Sequence, residues 1–203
     1  MFSSCTNLTS IDMSGFDTSN VTTMYMMFYD CSALTSLDVS GFDTSNVINM
    51  GSMFNSCTAL TSLDVSGFDT SNVTNMASMF SGCSALTSLD VSGFDTGNVT
   101  AMNKMFYICG ALTSLDVSSF DTSNVTNMNK MFASCYHLTT IYASSSFVTT
   151  KISSANDGDN MFLSCISLMG GAGTECDNNH DMYNYARIDG GTVGTRGYFT
   201  AKP

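Results

Sequence analysis

The chain repeats itself every 26 residues, and no other property limits its fold so tightly. The pair Met-Phe recurs at Met1-Phe2, Met27-Phe28, Met53-Phe54, Met79-Phe80, Met105-Phe106 and Met131-Phe132, each 26 residues after the last. A seventh pair, Met161-Phe162, follows after 30. Cysteine keeps the same phase at Cys5, Cys31, Cys57, Cys83, Cys109, Cys135 and Cys165. The third unit reads MFNSCTALTSLDVSGFDTSNVTNMAS, and units two to five repeat it almost unchanged between the Cys and the Val. A unit this short cannot bury its own apolar side chains, so the units must stack and share one continuous core.

Within a unit, Leu60, Leu63, Val65 and Phe68 spell LxxLxVxxF. Ser62-Leu63-Asp64-Val65-Ser66 alternates polar and apolar residues, which predicts a short strand with one buried face. Val47, Met50, Met53, Phe54 and Cys57 follow at spacings of three and four, which predicts a short helix. Asp43-Thr44-Ser45-Asn46 precedes them and offers capping oxygens. The segment is rich in Asn, Ser, Gly and Thr, so the helix is expected to be short and held by stacking.

LxxLxVxxF resembles the strand segment of the leucine-rich repeat. Phe42, Phe68 and Phe94 stand where that repeat has Asn, and Asn46, Asn72 and Asn98 are placed to form its polar ladder a few residues later. MFxxCxxLxxL is most similar to the 26-residue, BspA-like repeats of bacterial surface proteins. The resemblance covers Met1 to about Leu168. The expected fold is an α/β solenoid: a leucine-rich-repeat stack over 1–168 with units starting at 1, 27, 53, 79, 105, 131 and 161. The resemblance puts a parallel sheet on the concave face and short helices on the other. A C-terminal cap over 169–203 is expected to contain a β-hairpin. Its arms are Tyr185 to Ile188 and Tyr198 to Thr200, joined by an Asp-Gly-Gly turn. Met1 stands in the repeat's own Met position, which suggests a fragment of a longer protein. It also makes the uncapped N-terminal end a candidate surface for self-association.

Charge narrows the partners. Six Lys and Arg oppose 17 Asp and Glu, a formal net charge of -11. Nucleic-acid binding needs basic residues to displace counterions, so it is not expected. Docking on anionic lipid is disfavoured in the same way. No run of 18 apolar residues occurs, so no membrane insertion is expected of this stretch.

Stacking turns single positions into rows about 4.8 Å apart. Met, Phe and Cys rows in phase with the apolar face read as core. The outward strand positions are more informative. Asp12, Asp38, Asp64, Asp90 and Asp116 form one row. Ser36, Ser62 and Ser88 flank it on one side, and Ser40, Ser66 and Ser92 on the other. This is either a solvated face copied by duplication or a strip for a cationic or hydroxyl-rich partner. Mutual repulsion is expected to raise the carboxylate pKa values and make the fold more stable at low pH. Asn20, Asn72, Asn98 and Asn124 spell N-V-T, which reads as a glycan acceptor or as backbone hydrogen bonding.

Little else suggests chemistry. His137 lies two residues from Cys135, but that Cys belongs to the core row, so a catalytic dyad is not expected. Asp177, Asn179 and Asp181 have a spacing similar to the start of a calcium loop without its Gly and distal Glu. Asp157 and Asp159 sit in a comparable turn. These are weak metal candidates, and no cofactor and no enzymatic activity are expected. Cys176 is out of phase and could pair with Cys165. The resemblance implies an extracellular, cell-attached location and adhesion to a protein or glycan of a host or neighbouring cell. A structural spacer is the alternative. Lattice binding through the Thr and Asp rows is a third class.

Overall fold

The structure, a computed structural model, describes residues 1–190 and 195–202. Its core consists of the rows read from the repeat. Leu37, Leu63 and Leu89, Val39, Val65 and Val91, and Phe42, Phe68 and Phe94 are all buried, as are the Met and Cys rows from Met24 onward. Phe2, Phe28, Phe54, Phe80, Phe106, Phe132 and Phe162 form one column of stacked rings with centroids 5.6–5.8 Å apart.

What joins unit to unit differs from the expectation. The helices do not form. In their place the backbone alternates between two kinds of hydrogen bond. The N–H groups of Met50, Ser52, Phe54 and Ser56 donate to the carbonyls of Asn75, Ala77, Met79 and Ser81 in the next unit, at 2.7–3.0 Å. Those of Met53, Asn55 and Cys57 turn back on Met50, Ser52 and Phe54 at 3.2 Å. This geometry needs two left-handed residues per unit: Ser52 (φ 55°) and Ser56 (φ 62°), then Ser78 and Gly82, Lys104 and Ile108, Lys130 and Ser134. The left-handed state costs roughly 1–2 kcal/mol for a residue with a Cβ. A glycine fills only one of these eight positions, so the conformation is imposed by the inter-unit bonds rather than by local preference.

The expected sheet is also smaller. Three strands form: β1 (Ser114–Asp116), β2 (Thr140–Ala143) and β3 (Phe199–Ala201), all parallel in the order β1-β2-β3. In the earlier units the equivalent segments are unpaired. Among the described residues no backbone hydrogen bond joins 36–39 to 62–65 or 62–65 to 88–91. The isolated parallel bridges Thr23–Asn49, Asn49–Asn75, Asn75–Ala101 and Ala101–Asn127 all lie at the turn side. The tight side of the stack is thus the one expected to be helical.

Polar side chains add three further ladders. Buried Thr18, Thr44, Thr70 and Thr96 donate through Oγ1 to the carbonyls of Asp43, Asp69, Asp95 and Asp121 in the next unit, at 2.8–3.0 Å. Asn46, Asn72, Asn98 and Asn124 donate through Nδ2 to the preceding unit's Ser19, Ser45, Ser71 and Gly97 carbonyls at 2.7–2.8 Å. The asparagine ladder thus forms as the sequence suggested, and it occupies most of the N-V-T amides. The Sγ of Cys57, Cys83, Cys109 and Cys135 donates to Phe28, Phe54, Phe80 and Phe106 carbonyls at 3.1–3.2 Å.

The sixth unit absorbs its four extra residues without losing register. Met128, Lys130, Phe132 and Ser134 still donate forward, now to Asp157, Asp159, Met161 and Leu163. The surplus is taken up beside one turn of helix, α1 (Ala155–Gly158). The C-terminal segment then closes the stack. Phe162 N–H donates to Asp181 O at 2.9 Å and Ser164 N–H to Asn178 Oδ1 at 3.1 Å. Tyr198 packs edge-on against Phe162, the last ring of the column. The expected hairpin is instead a parallel pairing: Ile188 bridges Phe199 in parallel, and β3 adds to the free edge of β2. Both pairings of β3 are therefore parallel, so it continues the direction of the stack. Gly191 of the expected turn lies outside the described residues.

The threonine ladder gives a direct test. Thr70→Val keeps shape but leaves the Asp95 carbonyl without its buried donor, which costs about 1–3 kcal/mol. Ser71→Ala, at a half-buried neighbour whose hydroxyl bonds only the water-facing Asp69 carboxylate, should cost less, under about 1 kcal/mol. Urea denaturation of both variants measures the difference.

Candidate functional site

The strip residues divide into three groups. Asp38, Asp64 and Asp90 come together with Ser36, Ser62 and Ser88 around an open groove of about 540 Å³, floored by Leu37, Leu63 and Leu89. Each floor leucine is 8% exposed. Asp12 lies outside the groove, in a smaller hollow with Asp38, Ser40 and Gly41. Asp116, on β1, is engaged from the cap: Lys202 Nζ lies 2.7 Å from its Oδ2.

Ser40, Ser66 and Ser92 do not stand free as ligands. Each donates its N–H to the Oδ1 of the Asp two residues back at 2.9 Å, and Ser66 adds its hydroxyl at 2.7 Å. This reverses the expected pKa shift. Asp38, Asp64 and Asp90 are all lowered, first by the serine hydroxyl and then by the serine N–H. Asp12 is lowered by the Ser14 N–H and then its hydroxyl. Burial pushes Asp116 upward, but Lys202 and Ser118 outweigh it and leave it low. Asp12 and Asp64 do raise Asp38, but by less than the serine lowers it. No hydrogen-bonded ladder holds the carboxylates at sheet spacing, and each faces water, where repulsion is weak. The groove therefore presents three ionised carboxylates on an apolar floor.

The second Asp row is turn chemistry. Asp17, Asp43 and Asp69 each accept the N–H and hydroxyl of the serine two residues on, at 2.6–3.0 Å. The other candidates scatter. Asp157 accepts Ser154 Oγ and Asn127 Nδ2. The backbone carbonyls of Asp159 and Asp181 serve the inter-unit bonds. Asp177 accepts Asn179 N–H and lies 2.9 Å from His180 Nδ1. Among the described residues no three His, Cys, Asp or Glu side chains gather to hold a metal ion. His137 Nδ1 faces Gly110 O at 2.6 Å, not Cys135.

All eight cysteines are free thiols. Burial raises Cys57, Cys135 and Cys176 to about 12 and holds Cys165 well above the usual thiol range. Cys176, out of phase in sequence, is in phase in space. Its Sγ contacts Phe162 O at 3.7 Å, continuing the row of thiol-to-phenylalanine contacts. Nothing in its spacing signals this. Asp189 was also missed: buried, it accepts the N–H groups of Ala172 and Thr174 and the Thr174 hydroxyl at 2.8–3.0 Å. No helix among the described residues is long and apolar enough to cross a membrane.

The family described as "Mycoplasma protein of unknown function, DUF285" matches residues 1–89 and, in a second overlapping match, residues 61–170. The chain belongs to the DUF285 family. The two matches together span the repeated part of the chain and overlap by a little more than one unit, as a repeat family should. No curated protein and no solved structure matches it.

These shifts fix the pH profile. Carboxylates with lowered folded pKa values stabilise the fold above their unfolded pKa of about 3.9 and lose that contribution as pH falls through the folded values. Thiols with raised values stabilise below about 8.5 and lose about 1.4 kcal/mol each per pH unit beyond it. The melting temperature should be flat between pH 5 and 8, fall below about pH 4 and fall steeply above about pH 9. A melting temperature that rises from pH 7 to pH 4 would contradict the serine-held carboxylates.

Proposed function

We propose that this chain is a non-catalytic binding domain of a cell-surface protein, which presents its acidic face to a cationic segment of an extracellular protein. The observation that carries this reading is the groove of about 540 Å³, where three carboxylates held in the ionised form sit over an apolar leucine floor. An ionised row above an apolar leucine floor suits a partner with Lys or Arg heads on aliphatic stems. The fold behind it is read as a leucine-rich-repeat solenoid of the BspA-like kind, whose strand positions carry the strip. Membership of DUF285 is compatible with a bacterial surface protein built of repeats. The extracellular location, the adhesive role and the absence of catalysis rest on that likeness.

A second reading has its own support. Continuous ladders of Thr, Asn, Cys and Phe make the stack a regular rod, as a spacer would require. Wild type and the triple variant Asp38→Asn, Asp64→Asn, Asp90→Asn, compared on immobilised matrix proteins and mucins, separate the two. Asn retains the acceptor for the serine N–H, so the melting temperature should change by only a few degrees. The adhesive reading predicts wild-type binding that weakens with salt and drops at least about tenfold in the variant. No binding by either favours the spacer.

A further inference from the structure

The Asp row ends where β2 begins, and the face changes character there. In register with Asp116 stands Tyr142, and with Tyr142 stands Thr200 of β3. Thr140 takes the place of the flanking serine. The segment Leu168–Gly171 approaches from the last unit, with Met169 N–H donating to Thr139 O at 3.1 Å. Together they line a second, open hollow of about 400 Å³, with Thr140, Tyr142, Ser167, Met169, Gly170 and Thr200 among its residues. That volume lies within the ~300–1,000 Å³ range of small-ligand sites.

Its chemistry is unlike that of the acidic groove. No lining residue carries a charge. The nearest row carboxylate, Asp116, is already paired with Lys202, so the ion pair separates the hollow from the acidic strip. Met169 is 46% exposed, Tyr142 is half-buried, and both line the hollow, where they supply its apolar surface. The Ser167 and Thr139 hydroxyls are already used on backbone carbonyls. Among the described residues none bonds the hydroxyls of Thr140, Tyr142 or Thr200. Glycine is required at the floor: a Cβ on Gly170 would run into the Gly197 carbonyl and the Asp189 carboxylate.

We propose that this hollow binds a neutral pyranose ring. A sugar ring offers an apolar C–H face to an aromatic ring and a rim of hydroxyls to hydroxyl partners. Tyr142 and Met169 supply the first surface, and Thr140, Thr200 and the Tyr142 hydroxyl supply the second. With a net charge of -11, the chain repels sialylated or sulfated sugars. The absence of a free carboxylate in the lining disfavours amines. The assignment is independent of the acidic groove, which shares none of these residues.

Saturation-transfer NMR on the full chain tests it with methyl β-glucoside, methyl β-galactoside, methyl α-mannoside, N-acetylglucosamine and lactose. At least one should receive saturation. Tyr142→Ala should weaken it by about tenfold or more and Thr200→Val by a smaller factor, with both variants still unfolding cooperatively. The Asp38, Asp64, Asp90 triple Asn variant should bind as wild type does, which separates this site from the acidic one. Absence of transfer to every sugar, or transfer that survives Tyr142→Ala in a folded protein, would overturn the proposal.

Discussion

The structure depends on one interaction: every second backbone N–H at the turn side is donated forward to a carbonyl of the next unit. Phe54 to Met79, Phe80 to Met105 and Phe106 to Met131 are successive members of the same series. The intervening N–H groups close tight turns within their own unit, so the backbone polar groups of this side are satisfied without a helix or a continuous sheet. The cost is two left-handed residues per unit, and nearly all of them carry side chains. Each inter-unit bond exists only because a neighbour is present, so a single unit has no reason to adopt this conformation alone.

Side chains reinforce the same step. Stacking the units places each Phe ring on the next and each buried Thr hydroxyl under the next unit's backbone. A thiol caps the phenylalanine carbonyl of the preceding unit, which explains why the Cys row shares the Met-Phe phase. The C-terminal segment works as an end piece because it supplies the same items in a different order. Asp181 and Asn178 accept the last forward donors, Cys176 continues the thiol row, and Tyr198 closes the ring column.

Much of this could be read from the residues alone. The 26-residue period, the buried Leu, Val, Phe, Met and Cys rows, and the role of Asn72 and its equivalents all follow from phase and residue type. The helices could not be read correctly, for a physical reason. Turns closed by bonds between residues three apart put Met50, Met53 and Phe54 inward at the same spacings as a helix does, so periodicity does not separate the two. Glycine would have signalled the left-handed positions, but Ser52, Ser78 and Lys104 occupy them. The carboxylates were misjudged because repulsion along the row was weighed without the serine two residues on. The cap's parallel pairing is not legible because two short apolar arms around an Asp-Gly-Gly turn have the same pattern whether they pair in parallel or as a hairpin. Tyr142 stands 26 residues after Asp116, so its replacement of an Asp in the row is legible in the sequence, and the pairing of β1 with β2 keeps that phase.

The most direct test of the account is amide hydrogen exchange, read residue by residue at neutral pH. The forward-donating amides of Met76, Ser78, Phe80 and Gly82 should exchange only through global unfolding. The amides of Leu63, Asp64 and Val65, on the acidic face of the adjoining unit, should exchange far faster, because no inter-unit bond holds them. Strong protection at Leu63 to Val65 with rapid exchange at Ser78 and Phe80 would show that the sheet face, not the turn side, holds the units together, and would contradict the account.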